Sequence, residues 1–213
     1  MNTTQKTFLF DFDGTLVDSM PTYIGVMIRI LDEHKIAYSD DIVKIITPLG
    51  YRGTSEYFIK IGVNATVDEL VDKMSEYALY EYENNIGEKE TVIETLYAMK
   101  KKGYSLNVLT ASPHAALDPC LKRLGVWELF DNVWSCEDFG TTKSDVKIYE
   151  MAAKKLGREL HDVTFVDDNI NAVRTAKAAG MTAFGIFDKS SEECIEEFKA
   201  MADGYVMKFR ELI

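Results

Sequence analysis

Apolar positions along the chain follow two different spacings. Short unbroken apolar runs, each closed by acidic or turn residues, occur at Thr7–Phe10, Tyr104–Leu109, Asn132–Ser135, Val163–Val166 and Met181–Phe187. Runs of that length with polar breakers on both sides predict strands buried on both faces. Between the later runs the spacing becomes helical: Leu117, Cys120, Leu121 and Leu124; Tyr149, Ala152, Ala153 and Leu156; then Val173, Ala176 and Ala179, stopped by Gly180. Strand and helix thus alternate from about residue 90 onward. That order predicts a doubly wound, Rossmann-like α/β fold, a parallel sheet with helices on both faces.

The stretch 18–86 reads differently, with helical spacing and no strand run. Ile24, Met27, Ile28 and Leu31 repeat at i, i+3, i+4 and i+7, and Val67, Leu70, Val71, Met74, Tyr77 and Ala78 follow a Thr66 that can cap with Glu69. Shorter helices are expected around Asp41–Ile46 and Thr54–Ile61, separated by a Pro48–Gly53 turn. The expected organisation is an α/β core domain, 1–17 and 87–213, with a four-helix domain, 18–86, inserted after the first strand. No internal repeat, low-complexity tract or flexible linker interrupts it.

Composition narrows the class. Of 213 residues 46% are hydrophobic, enough to bury a substantial core and too many for a disordered chain. The formal charge of −11 repels polyanions, which argues against nucleic acid or an anionic membrane as partner. The cysteines Cys120, Cys136 and Cys194 are odd in number and widely spaced, unlike a disulfide framework or zinc cluster. With neither a signal-like N-terminus nor a spanning apolar run, the expected location is cytoplasmic.

The chemistry gathers where strands end. The first strand runs into Asp11-Phe-Asp13-Gly14-Thr15, and in an open α/β sheet the carboxyl edge is where ligands bind. An isolated Asp-x-Asp is more often an acidic turn, but the four fixed positions Asp-x-Asp-Gly-Thr arise by chance only about once in several hundred such chains. The second strand runs into Thr110-Ala111-Ser112-Pro113, where a hydroxyl and free amides can hold an anion. Lys143 precedes a helix in a position to bring positive charge to the same edge, and the fourth strand ends in Asp167-Asp168-Asn169. Adjacent acids at a buried strand end are costly unless a cation compensates them, and two such pairs call for Mg2+, a hard ion that prefers oxygen ligands and substrate phosphates.

This set resembles the haloacid dehalogenase superfamily, in the branch with a helical cap after the first motif that includes phosphoglycolate phosphatases and β-phosphoglucomutases. The likeness spans essentially the whole chain. It implies an aspartate-nucleophile phosphohydrolase in which Asp11 attacks phosphorus and Asp13 is the general acid/base. Thr110, Ala111 and Lys143 would bind phosphate, and Asp11, the Asp13 carbonyl and Asp168 would hold Mg2+. An acid at position 13 argues for cleavage of phosphate esters rather than carbon–halogen or carbon–phosphorus bonds. The implied substrate is a small phosphorylated metabolite, and the expected state is a monomer or weak homodimer.

Several positions depart from that pattern. Similar enzymes commonly read Lys-Pro-x-Pro at the third motif, whereas this chain reads Lys143-Ser144-Asp145-Val146, which removes two restraints on the lysine loop and leaves Lys147 as a minor rival. Ala172 replaces a frequent second acid in the fourth motif, so Asp167 becomes the alternative acidic partner, either as a metal ligand or as an acceptor for Lys143. In the cap, Arg52 is the candidate for a substrate carboxylate or second phosphate, presented from a flexible loop. Tyr23 stands where the mutases carry a histidine, which favours hydrolysis over transfer. The rival readings are a mutase-like phosphotransferase, a catalytically silent binding member of the family, and a receiver-type signalling domain. The last would place its paired acids first and lack the cap.

Overall fold

The computed structural model describes residues 5–39 and 41–213. Six strands, β1 (Thr7–Phe10), β2 (Ser105–Thr110), β3 (Asn132–Ser135), β4 (Val163–Asp167), β5 (Thr182–Ile186) and β6 (Gly204–Val206), form one sheet in the order β3-β2-β1-β4-β5-β6. Every pairing is parallel. The expected doubly wound α/β architecture is therefore present. Its central strand is β1, all four residues of which are buried, as a strand covered on both faces requires.

The sequence pattern did not indicate β6. It is only three residues long and begins with a glycine, yet that glycine is what lets it pair. A Cβ on Gly204 would lie 2.3 Å from a Phe184 ring carbon, and one on Gly185 would meet the rings of Phe198 and Tyr205. Aromatic side chains thus fill the space over β5 and β6 that a larger residue would need.

Contacts divide the chain into two compact units, one of the described residues up to Asp18 with Gly87–Ile213, the other Ser19–Ile86. The second unit contains helices α1 (Met20–Glu33), α2 (Ile42–Ile46), α3 (Gly50–Lys60) and α4 (Val67–Asn84). Met27, Ile30, Leu31, Phe58, Leu70 and Met74 form its apolar centre. Thr66 caps α4 with the reciprocal Glu69 bond that the spacing predicts. One expectation is corrected. Gly50–Gly53 is the first turn of α3, preceded by a short 3-10 turn at Thr47–Leu49, so Arg52 is helical and not on a flexible loop. The two glycines look like breakers, but a Cβ at Gly53 would come within 3.0 Å of Leu49 Cβ, and the small residue lets the turn pack.

The first unit adds α5 (Val92–Lys101), α6 (His114–Arg123), α7 (Val146–Leu156), α8 (Ile170–Ala179) and α9 (Ile195–Met201). Among the described residues no helix is long and apolar enough to cross a membrane.

Candidate active site

Register brings the site together. Phe10 pairs with Val108 on one side and Val166 on the other, so Asp11, Thr110 and Asp167 all leave the sheet at its carboxyl edge. The Asp11 N–H continues the ladder for one more step, donating to the Val166 carbonyl at 2.9 Å. Beyond it the chain turns sharply: Leu16 and Val17 donate back to the Phe12 carbonyl, and the Gly14 N–H donates to the Val17 carbonyl. Gly14 has φ +72°, and a Cβ there would lie 2.4 Å from Asp168 Oδ2. Both the left-handed backbone and the contact with Asp168 require glycine.

Asp168 is seated by Thr15, whose hydroxyl donates to Asp168 Oδ1 and accepts from the Asp168 N–H, both at 3.2 Å. Lys143 reaches across from the loop before α7. Its Nζ is 2.6 Å from Asp11 Oδ1 and 2.7 Å from Asp167 Oδ2. The other Asp167 oxygen accepts from the Asn169 N–H at 2.7 Å, so both its oxygens are engaged. Lys147 is exposed, and Lys143 is the lysine that reaches the carboxylates.

The prolines missing from the lysine loop have polar substitutes. The buried Tyr149 hydroxyl shares its proton between the Lys143 carbonyl (2.9 Å) and the Ala172 carbonyl (3.1 Å). Asp145 caps α7 through the Lys147 N–H and accepts from the Thr141 hydroxyl. Hydrogen bonds thus fix the loop without proline rings.

At the end of β2, the buried Thr110 accepts from the Ser112 N–H at 3.0 Å, and the Ser112 hydroxyl donates to Asp13 Oδ2 at 2.5 Å. Ala111, between them, is exposed. Sequence reasoning gave Ser112 no role of its own, although its hydroxyl two positions past Thr110 was a visible signal. It also missed the seating of Asp168 by Thr15. His114 bridges Asp118 and Asp138 through its two ring nitrogens. Arg52 belongs to the other unit, where it pairs with Asp68 at 3.2 Å, both side chains largely exposed.

The electrostatics are unbalanced. Oxygens of the buried Asp11, Asp167 and Asp168 all lie within 4.8 Å of one another, with Lys143 the ammonium bonded among them. Burial, then the neighbouring Asp167, pushes the Asp11 carboxyl well above the usual range despite its ion pair with Lys143. Burial and Asp167 likewise push Asp168 up to about 7. Burial alone would lower Lys143, but Asp11 and Asp167 outweigh it and hold the ammonium charged. Three buried hard-oxygen donors with too little positive charge among them are suited to a divalent cation.

The fold and this carboxylate edge define a doubly wound α/β hydrolase with an inserted helical unit. The chain belongs to the haloacid dehalogenase-like hydrolase family, whose model matches residues 8–186. It is 30% identical over 181 residues to pyrophosphatase PpaX of Bacillus velezensis, covering 84% of this chain and 81% of that protein. It is 26% identical over 196 residues to phosphoglycolate phosphatase of Mannheimia succiniciproducens, covering 87% of each. A Thermotoga maritima protein provisionally described as a β-phosphoglucomutase shares the fold with a TM-score of 0.83 at 21% identity, covering 98% of this chain and 96% of that one. The family and its named relatives make the chain a phosphatase-type enzyme.

Proposed function

We propose that the protein is a Mg2+-dependent phosphatase that hydrolyses a small phosphate monoester through an aspartyl-phosphate on Asp11. The observation that carries the reading is the Lys143 ammonium bonded to both Asp11 and Asp167 beside Asp168. Asp11 and Asp168, with the Asp13 carbonyl, would hold Mg2+, and Asp167 acts as the acceptor that orients Lys143. When bound, the ion neutralises charge on the transferring phosphoryl group and on the attacking carboxylate.

In the first half-reaction an Asp11 oxygen bonds to phosphorus as the ester oxygen departs, and that oxygen takes a proton from Asp13. In the second half, water attacks the same phosphorus, its proton passes to Asp13, and the bond to Asp11 breaks to release orthophosphate. The Ser112 hydroxyl holds the Asp13 carboxyl in place for both transfers. Thr110 and the Ala111 N–H receive the phosphate oxygens, and Lys143 balances their charge.

The substrate class is a small phosphorylated metabolite, which the −11 net charge does not exclude as it does polyanions. The working state in this reading is a monomer or weak homodimer. The test is release of p-nitrophenol from p-nitrophenyl phosphate, followed by a panel of phosphorylated metabolites. Activity should require Mg2+, vanish in EDTA and return when Mg2+ is restored. Full turnover in exhaustively chelated buffer would refute the metal requirement, and no turnover on any phosphate ester with Mg2+ present would refute the phosphatase.

A further inference from the structure

Lys89 lies three residues past the end of the helical insertion, yet its side chain is directed into the back of the catalytic turn. Its ammonium has three donors and three acceptors: the Gly14 carbonyl at 2.5 Å, the Phe187 carbonyl at 2.6 Å and Asp188 Oδ2 at 2.8 Å. The Lys89 side chain is 17% exposed and that of Asp188 6%. The other Asp188 oxygen accepts from the N–H and hydroxyl of Ser190. The segment bearing Lys89 is itself tied to the turn, with the Lys89 N–H on the Leu16 carbonyl and the Asp18 N–H on the Gly87 carbonyl.

We propose that Lys89 is a positioning residue that clamps the Gly14 backbone, so that the Asp13 carbonyl and Asp168 keep the arrangement that accepts the metal ion. This rests on the phosphatase reading above. Gly14 is the one residue of the turn without a Cβ, so its flanking peptide planes rotate most cheaply. Its N–H is fixed by the Val17 carbonyl, and Lys89 fixes its C=O. A rotation there would re-aim the Asp13 carbonyl on one side and Thr15, the seat of Asp168, on the other. Asp188 cancels the Lys89 charge locally, so the clamp holds the turn without adding a net cation that would repel Mg2+.

The decisive variant is Lys89→Met/Asp188→Asn, which removes the clamp while leaving the local charge balance unchanged. Partners that orient metal ligands typically change metal affinity by about 10- to 100-fold, so Mg2+ should bind this variant at least about tenfold more weakly. Affinity is read without substrate, from the Mg2+ dependence of the unfolding temperature. kcat should fall with it, while KM for p-nitrophenyl phosphate, set by Lys143 and Thr110, should stay within about twofold. Lys89→Met alone should bind Mg2+ more tightly than the double variant, because the unpaired Asp188 adds negative charge. Should the double variant not fold, Lys89→Arg keeps the charge but cannot serve the three acceptors with one nitrogen, and it should show the same loss. Mg2+ affinity and kcat within about twofold of wild type in the folded variant would overturn the proposal. Amide exchange across residues 13–17, measured without metal, should also speed up when Lys89 is replaced, and unchanged exchange would overturn the clamp. If wild type neither binds Mg2+ nor cleaves a phosphate ester, the phosphatase reading fails while the exchange result still decides the clamp.

Discussion

The Lys143 ammonium is 2.6 Å from the Asp11 carboxylate, although 132 positions separate them in the chain. Asp11 is buried and Lys143 half-buried, and each is held by a partner besides the other: Asp11 by the Val166 carbonyl through its own N–H, and Lys143 by Asp167 through its ammonium and by Tyr149 through its carbonyl. A carboxylate bonded to an ammonium in this way is oriented before substrate arrives. In the proposed reaction, that preorganisation is what a weak oxygen nucleophile needs to attack a phosphate.

In the proposed reaction Asp11→Asn removes the attacking oxygen and leaves a side chain of the same shape for Lys143. Turnover of p-nitrophenyl phosphate should drop by about 10⁴-fold or more, the scale at which nucleophile loss is usually felt. Circular dichroism should remain that of wild type. Acid-quenched protein incubated with labelled substrate should carry covalent phosphate in wild type and none in the variant.

Tyr149→Phe deletes the hydroxyl that holds the lysine loop and leaves the Lys143 and Ala172 carbonyls without it. The loss of stability should be about 1 to 3 kcal/mol, the range for a buried hydrogen bond whose partner is left unpaired. Denaturant titration measures it. Because Lys143 loses its backbone anchor, kcat/KM should also fall, whereas replacing the exposed Lys147 by Met should change neither.

Gly14→Ala meets two obstacles at once. The left-handed backbone costs an L-residue about 1 to 2 kcal/mol, and the new methyl would lie 2.4 Å from an Asp168 oxygen. Thermal unfolding should therefore come earlier, and Mg2+ should raise the unfolding temperature less than it does in wild type. An equal Mg2+ response in both proteins would show that Asp168 can withdraw without consequence.

Glu33 joins α1 to α4, accepting from Arg29, Lys73 and the Tyr77 hydroxyl while the Arg29 guanidinium lies 3.7 Å above the Tyr77 ring. The Lys73 bond first, then Tyr77 and Arg29, hold its carboxyl down at about 2, from an ordinary value of 4.5. Between those two pH values the unfolded chain takes up a proton that the folded one does not. Stability from Glu33 is thus fully present above 4.5 and lost as pH falls toward 2. In acid titrations followed by helical circular dichroism, Glu33→Gln should flatten the pH dependence across that window. A slope identical to wild type would remove Glu33 from the account of acid stability.

Arg52 pairs with Asp68 while 70% exposed, and pairs of that kind contribute only about 0 to 1 kcal/mol. Arg52→Ala should therefore unfold at nearly the wild-type temperature. If Arg52 reads a second anionic group, kcat/KM for phosphoglycolate should fall by roughly ten- to a hundredfold, as for a charge-assisted bond, while p-nitrophenyl phosphate is spared. Equal loss on both would assign Arg52 to the helix alone.

The elements the sequence revealed were those whose signal is local. A run such as Val163–Val166 reads as a buried strand from its own residues, and Asp11, Asp168 and Lys143 stand out because acids or a lysine follow or flank such runs. What stayed hidden depends on distant partners. Ser112 meets Asp13 across 99 positions, Thr15 meets Asp168 across 153, and Lys89 meets Gly14 across 75. The absence of prolines after Lys143 was visible, but the tyrosine that replaces their restraint was hidden among core apolar positions of α7. Gly204 reads as a loop residue until the Phe184 ring above it is seen. Arg52 was misplaced because two glycines within a helical turn look like the turn itself.

The central position of β1 also sets when the site can exist. Its neighbours are β2, on the far side of the insertion, and β4, which begins only at Val163. During synthesis the strand carrying Asp11 emerges before its partners, and β4 emerges only after the whole insertion, β2 and β3 have been made. A nascent chain stopped short of Val163 would have no acceptor for the Asp11 amide, no Asp167 beside Lys143, and an open edge along the apolar residues Phe8, Leu9 and Phe10. Such an edge is a template for mispairing with other chains until β4 covers it. The strand that leads into Asp11 is therefore the one that must be kept from other chains longest.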